Sequence, residues 1–343
     1  MQNDLERLYF EIKEQIQKVD FSKLWKGFTP LKFALYNEKE CFFDGAYVPK
    51  TDAFLGNTAI SYNGEMIAIW NVMEEADVVL MASKMIHEMF HGFQQLNQES
   101  RFPNEIEALY VYKYDDANLS LKLEENRIIA SLLDHFDQNE YQRFLQMKQY
   151  RNRNFNYEFH YESCIEQIEG TAEFVELCAL KQLSYEKYQA KVALLKERIT
   201  TPKNLIPTRI NCYDVGALLL LLLNENGISY AEGFEEKCFG ERLLEGVLLY
   251  ATPIENTMGQ VIEGYYAKAR TIIEETIAKN DVVASGDYDL YGVNVYDAVY
   301  CDGYIISTYF VMYGEGEKTK VEYGDFLIRT EAVGKMTELY RIS

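Results

Sequence analysis

At 343 residues, 48% of them apolar and 14% aromatic, the chain carries enough apolar material for a sizeable core and is too apolar to be disordered. Its 34 Lys and Arg against 54 Asp and Glu give a formal net charge of −20, which repels phosphate backbones and anionic headgroups. Nucleic acid and membrane surfaces are therefore not expected as partners.

The segment Met1–Glu14 is charged throughout and has no apolar run of signal-peptide type. The longest apolar stretch, Val215–Leu223, falls far short of the ~20 residues that span a bilayer. Six cysteines (Cys41, Cys164, Cys178, Cys212, Cys238, Cys301) show no CxxC spacing and read as reduced, mostly buried thiols. Together these features predict a cytoplasmic protein. The 27 tyrosines suit half-buried surfaces, where the ring packs and the hydroxyl still finds a partner.

In chain order, Leu5, Leu8, Tyr9, Ile12, Ile16 and Val19 predict an amphipathic helix over 3–19. Strand-like runs follow at Leu31–Tyr36 and Glu40–Phe43. Asn63-Gly64 between Thr58–Tyr62 and Met66–Val72 predicts a type I′ hairpin. From about Glu75 the pattern turns helical, with an apolar stripe of Val79, Ala82, Ile86, Phe90 and Phe93. Helical periodicity returns near 104–114, 119–136, 139–149, 160–183, 185–199, 213–226 and 254–279. After Asp281 the texture predicts an antiparallel meander: Val293–Cys301, a turn at Asp302-Gly303, Tyr304–Tyr313, a turn at Gly314–Glu317, Thr319–Arg329 and Met336–Ile342. The expected class is α+β, with an amino-terminal α/β lobe (1–74), a helical body (75–280) and a carboxy-terminal β unit (281–343).

Chemistry concentrates at His87-Glu88-Met89-Phe90-His91, an HExxH sequence. Two histidines four apart on a helix share one face, so both imidazoles can reach one ion while Glu88 faces a water beside it. A chance match in a chain with only four histidines is on the order of one in a few hundred, and the apolar flanks bury the helix. His91 is followed by Gly92-Phe93-Gln94-Gln95 with no third histidine nearby, which argues against the extended metzincin pattern. The third ligand is then a carboxylate from a later helix. Glu169 in Glu169-Gly170-Thr171-Ala172-Glu173 is the candidate, with Glu173 one turn on as a hydrogen-bond acceptor for a ligand histidine. Glu166, a turn earlier, is a rival ligand. The small trio Gly170-Thr171-Ala172 would let this helix approach the HExxH helix closely. Two imidazoles and a carboxylate suit Zn2+, although cobalt or manganese could use the same ligands.

His87, Glu88, His91, Glu169 and Glu173 resemble the pattern of gluzincin metallopeptidases, the thermolysin-like clan. The Glu169–Glu173 segment is also similar to the EGxAE form of collagenase-like and aminopeptidase-like members. The resemblance covers perhaps 55–225 and is specific at these two helices alone. The gap between His91 and Glu169 exceeds the clan's common spacing, which an inserted helical subdomain (roughly 98–158) would explain. No GxMEN-like segment precedes the motif, so exopeptidase activity is not implied.

What the resemblance implies is a zincin-like fold and zinc-dependent hydrolysis of peptide bonds in a peptide or protein substrate, with Glu88 as general base. It also implies an edge strand, here Met66–Val72, for extended peptide, and a Tyr or His donor to the oxyanion. Tyr213, His160 and Tyr161 are the candidates for that donor, whereas His135 reads as a partly buried packing residue. Two alternatives stay open: a zincin fold that binds metal but hydrolyses something else or nothing, and a scaffold whose Tyr-rich β tail recruits a partner.

Overall fold

The computed structural model describes residues 5–73, 77–230, 232–234, 236–250, 254–316 and 318–342. The predicted start of the first helix at residue 3, the predicted opening of the helical body at Glu75 and Glu317 of the predicted turn lie outside the described residues.

Helix α1 (Leu5–Ile16) precedes five strands: β1 (Lys32–Tyr36), β2 (Cys41–Phe43), β3 (Ala46–Val48), β4 (Thr58–Tyr62) and β5 (Glu65–Asn71). They form one sheet in the order β3-β2-β1-β5-β4, with β1 and β5 parallel and the other neighbours antiparallel. Asn63 and Gly64 take φ of 51° and 82°, the left-handed pair of a type I′ turn, and set Tyr62 opposite Glu65. The strand expected at the edge, Met66–Val72, is interior instead. β5 is hydrogen-bonded to β1 on one side and β4 on the other, so the edge strand beside it is β4.

Helix α2 (Val78–Leu96) is started by Asp77, whose carboxylate accepts from the Val79 and Leu80 amides. Gly92 lets it lie flat on the sheet: a Cβ there would stand 2.5 Å from Leu31 Cδ1 and 3.0 Å from Met66 Cγ. Helices α3 (Glu105–Val111), α4 (Asp116–Asp134) and α5 (Gln138–Asn154) fill the stretch between the two halves of the motif. Then α6 (Asn156–Ile165), a π-helical turn (Glu166–Gly170) and α7 (Thr171–Leu183) run on as one rod. The α-helix expected over 160–183 is thus interrupted by one wider turn. The body is completed by α8 (Tyr185–Thr200), α9 (Thr208–Glu225) and the short α10 (Phe239–Arg242). One apolar core runs from Leu5 to Leu244, through both the amino-terminal lobe and the helical body.

Helix α11 (Gly259–Lys279) leads into β6 (Val282–Val293), β7 (Val299–Cys301), β8 (Tyr304–Ser307), β9 (Phe310–Glu315), β10 (Lys318–Tyr323), β11 (Phe326–Arg329) and β12 (Lys335–Arg341). Their order is β10-β9-β6-β12-β11-β8-β7, antiparallel throughout. The expected simple meander is corrected in three ways. Of the expected strand Val293–Cys301, Val293 ends β6, 294–298 form a loop and only Val299–Cys301 is a separate strand. Tyr304–Tyr313 and Thr319–Arg329 each break into two strands, and β6 is a central strand between β9 and β12. Gly286 and Gly292 interrupt its apolar alternation, and Ser285 and Asp287 stand exposed on either side of Gly286, so the sequence pattern does not mark it as a strand. Ala269 and Ile273 of α11 pack on Leu327 and Tyr340, while Ile106, Leu109 and Tyr110 of α3 pack against a second apolar cluster of the same sheet. Helices and mainly antiparallel strands are segregated, which is an α+β architecture. No described helix is long and apolar enough to cross a membrane.

Candidate metal centre

The α2 spacing brings His87 and His91 one turn apart on the face that meets the α6–α7 rod. Their Nε2 atoms lie 3.1 Å apart. Glu169 Oε2 is 3.2 Å from His91 Nε2 and 4.0 Å from His87 Nε2. Tetrahedral zinc with bonds of about 2.0–2.1 Å sets neighbouring ligand atoms roughly 3.3 Å apart, so the three donors are near the required spacing.

The partners of the other ring nitrogens decide what the three donors can hold. His91 Nδ1 meets Gln94 Oε1 at 2.8 Å. The Gln94 amide is oriented by its own donation to the Ile168 carbonyl at 2.8 Å and to Thr171 Oγ1 at 3.0 Å. Oε1 therefore accepts, and the His91 proton sits on Nδ1. His87 Nδ1 lies 3.4 Å from Glu176 Oε2 and 3.7 Å from Glu173 Oε2, though without hydrogen-bond alignment to either. Two carboxylates on that side favour a proton on Nδ1. In the neutral Nδ1–H tautomer each Nε2 presents a lone pair. A charged His87 can instead donate its Nε2–H to His91 Nε2 across the same 3.1 Å, and with both rings neutral the three atoms form a donor set that fits a divalent ion.

The carboxylates around the histidines favour positive charge on them. Burial alone would lower the His87 imidazole, but Glu176, Glu88 and Glu173 outweigh it and raise it to about 9. For Glu169, burial pushes up while His91, Arg209 and His87 pull harder, to about 2. Burial holds the Glu88 carboxyl above its usual range. Arg209, opening α9, sits 3.0 Å from Glu169 Oε1 and also pairs with Glu105. It leaves Oε2 as the oxygen facing the histidines. Behind His87, Lys191 reaches Glu173 at 2.7 Å and pairs with Glu176 as well.

A cleft of about 720 Å³ opens over these groups, lined by Glu88, Arg209, Tyr213 and Tyr296 among others. The Tyr213 hydroxyl is buried without a hydrogen-bond partner among the described residues. Burial, then the Glu169 charge, keeps it protonated. Arg209 lies over its ring at 5.4 Å and over that of Tyr296 at 5.6 Å.

Of the residues singled out in sequence, His87, Glu88, His91, Glu169, Glu173 and Tyr213 meet at this cleft. His160 does not. It is exposed, bonded to Glu241 at 2.8 Å and does not line the cleft. Tyr161 donates to Glu105 rather than facing the histidines. Glu166 is buried 3.3 Å from Lys148, because the wider π turn carries it off the Glu169 face. Gly170 meets α9 rather than α2: a Cβ there would be 2.7 Å from Gly216 Cα. His135 is exposed at the end of α4, not packed.

Gln94, Glu176, Arg209 and Tyr296 were not foreseen. Gln94 follows His91 by three and Glu176 follows Glu173 by three, spacings that place each on the same helical face. Arg209 and Tyr296 have no local signal, since both arrive from distant chain segments. His87 with Glu173 and Glu176 forms a second possible ligand group, whose carboxylates are paired with Lys191, and a third, Glu162, Glu166 and Cys212, is paired with buried Lys122, Arg151 and Lys148. Compared with known protein families, curated proteins and solved structures, the chain matches none.

Proposed function

We propose that this chain is a zinc-dependent metallopeptidase of gluzincin type, with a zincin-like arrangement of α2 and the α6–α7 rod. The observation that carries the reading is the trio of facing donors, His87 Nε2, His91 Nε2 and Glu169 Oε2, within 4.0 Å of one another, with the outer ring nitrogens turned to Gln94 and to Glu173 and Glu176. Zinc held there would supply a Lewis acid and bring the pKa of a water in its open position towards neutrality.

The chain's own residues do the rest. Glu88, raised by burial, is suited to take a proton from the attacking water and pass it to the leaving amine. The unpaired Tyr213 hydroxyl is available to donate to the oxyanion that develops on the scissile carbonyl. Arg209 fixes the orientation of Glu169. The free edge of β4 begins at Thr58, which with Asn57 lines the cleft, so an extended peptide can add to the sheet there.

Elemental mass spectrometry of the purified chain and a peptide-library digest test this reading, with Glu169→Ala and Glu88→Gln alongside. About one zinc per chain is expected in the wild type, with loss in Glu169→Ala and retention without cleavage in Glu88→Gln. A wild type that takes up no zinc when zinc is added refutes the metal centre. Zinc binding with no cleavage of any peptide refutes the peptidase and leaves a different hydrolase or a scaffold.

A further inference from the structure

Outside the cleft, on the opposite side of the α6–α7 rod, two of the six free cysteines stand in contact. Cys164, in the last turn of α6, has its Sγ 3.9 Å from Sγ of Cys238, the residue that caps α10. His160, one turn before Cys164, places Nε2 at 3.6 Å from the same sulfur. Its Nδ1 is held by Glu241 Oε1 at 2.8 Å, and the other oxygen of Glu241 accepts from the Cys238 amide at 3.0 Å. The imidazole is exposed, whereas both thiols are buried, Cys164 at 4% and Cys238 at 1% exposure, so the ring edge is the nearest solvent-facing group to the pair. No three of these ligand atoms converge closely enough to hold a metal. The arrangement is thiol, base and orienting carboxylate, with a second thiol within reach.

We propose that Cys164 and Cys238 form a peroxide-oxidisable dithiol in which Cys164 is the attacking sulfur, His160 its acid–base partner and Cys238 the resolving thiol. The Cys238 S–H and the His160 ring both hold the Cys164 thiol below its ordinary value, against its burial, while Cys238 is pushed up and stays a thiol. The Cys164 thiolate attacks the distal oxygen of a hydroperoxide and breaks the O–O bond. The leaving alkoxide or hydroxide takes the proton from His160, and Cys164 becomes a sulfenic acid. The Cys238 sulfur then attacks that sulfur. The hydroxyl leaves with the Cys238 proton as water, and the disulfide is formed. In sum, two thiols and one hydroperoxide give one disulfide, one alcohol or water, and one further water.

The bond would staple α10 to the rod that carries Glu169, where the Phe239 amide already donates to Gln167 Oε1 at 2.9 Å.

The test is hydrogen peroxide added to the full chain, followed by peptide mapping without reductant. A Cys164–Cys238 cross-link reversed by dithiothreitol is expected, with Cys41, Cys178, Cys212 and Cys301 remaining free. Cys238→Ser should instead accumulate a dimedone-trapped sulfenic acid at Cys164, and His160→Ala should slow the reaction by about tenfold. Cross-links spread over other cysteines, or both thiols still free at a peroxide dose that oxidises exposed methionine, would overturn the proposal. So would a His160→Ala rate equal to that of the wild type. The mapping is independent of zinc content and of peptidase activity.

Discussion

Replacing Gln94 by Met keeps the side-chain length and removes three hydrogen bonds at once. Gln94 is 2% exposed, so no water takes their place. Lost are the acceptor for His91 Nδ1, at 2.8 Å, and the donations to the Ile168 carbonyl and Thr171 Oγ1. Thr171 Oγ1 still donates to the Gln167 carbonyl at 2.6 Å, which leaves the His91 N–H and one Ile168 lone pair as the groups that suffer. At about 1 kcal/mol per net bond, with a further desolvation cost for a buried donor, the fold should lose about 2–4 kcal/mol. His91 is also freed to rotate or to change tautomer, and outer partners of ligand histidines contribute on the order of 10–100-fold to metal affinity. Competition against a zinc chelator reads the second effect and thermal unfolding of the zinc-free chain reads the first. If stability falls while zinc affinity stays within about twofold of wild type, Gln94 only joins two helices and the tautomer argument for the centre fails.

Gly216→Ala places a Cβ 2.9 Å from the Glu166 carbonyl oxygen and from Gly170 Cα, so the π turn must move. A loss of about 1–3 kcal/mol in chemical denaturation is expected together with weaker zinc retention, and an unchanged denaturation midpoint would contradict the close crossing. Tyr213→Phe should leave zinc content and Tm nearly unchanged and lower kcat by about 10²-fold with little change in KM, because the hydroxyl makes no geometrically sound hydrogen bond among the described residues. An unaltered kcat would remove Tyr213 from the reaction. Asp214 is raised to about 7 by burial, which Arg198 at 2.9 Å offsets only in part. Its native pKa lies above the unfolded value, so the native state holds a proton the unfolded chain lacks between about pH 4 and 7. Stability therefore falls as pH rises through that window, by on the order of 2–4 kcal/mol. Asp214→Asn should flatten this slope in thermal melts from pH 4.5 to 8, and an unchanged slope would assign it to other groups.

The parts of this molecule legible in sequence are those whose determinants are local. Asn63-Gly64 specifies a turn by its own backbone preference, and the turn is where expected. His87 and His91 share a face because four residues are close to one α-helical turn. Glu169 was within reach of the same reasoning, since only its identity and the later helix were needed. Glu166 was not, because one extra residue in a π turn rotates it away, and that turn depends on the Gly170–Gly216 crossing between distant segments. Arg209 likewise enters through tertiary packing. β6 escaped because its glycines and the exposed Ser285 and Asp287 hide the two-residue period that marks a strand.

The cleft also explains why a seven-residue helix and a remote sheet belong to the same machine. α3 uses one side to pack Ile106, Leu109 and Tyr110 against the carboxy-terminal sheet, where the Tyr110 hydroxyl meets Thr330 Oγ1 at 2.7 Å. From its first residue, Glu105 pairs with Arg209, and Arg209 holds Glu169. The loop between β6 and β7 brings Tyr296 over the same guanidinium. Arg209 is therefore fixed by the sheet unit from two directions while it orients the carboxylate facing both histidines. A shift of the sheet would pull on Glu169 through two residues, so loosening the α3–sheet contact, as Tyr110→Ala would, should weaken zinc retention without touching any ligand. Tyr110→Ala with wild-type zinc affinity would show instead that Arg209 is held by α9 alone.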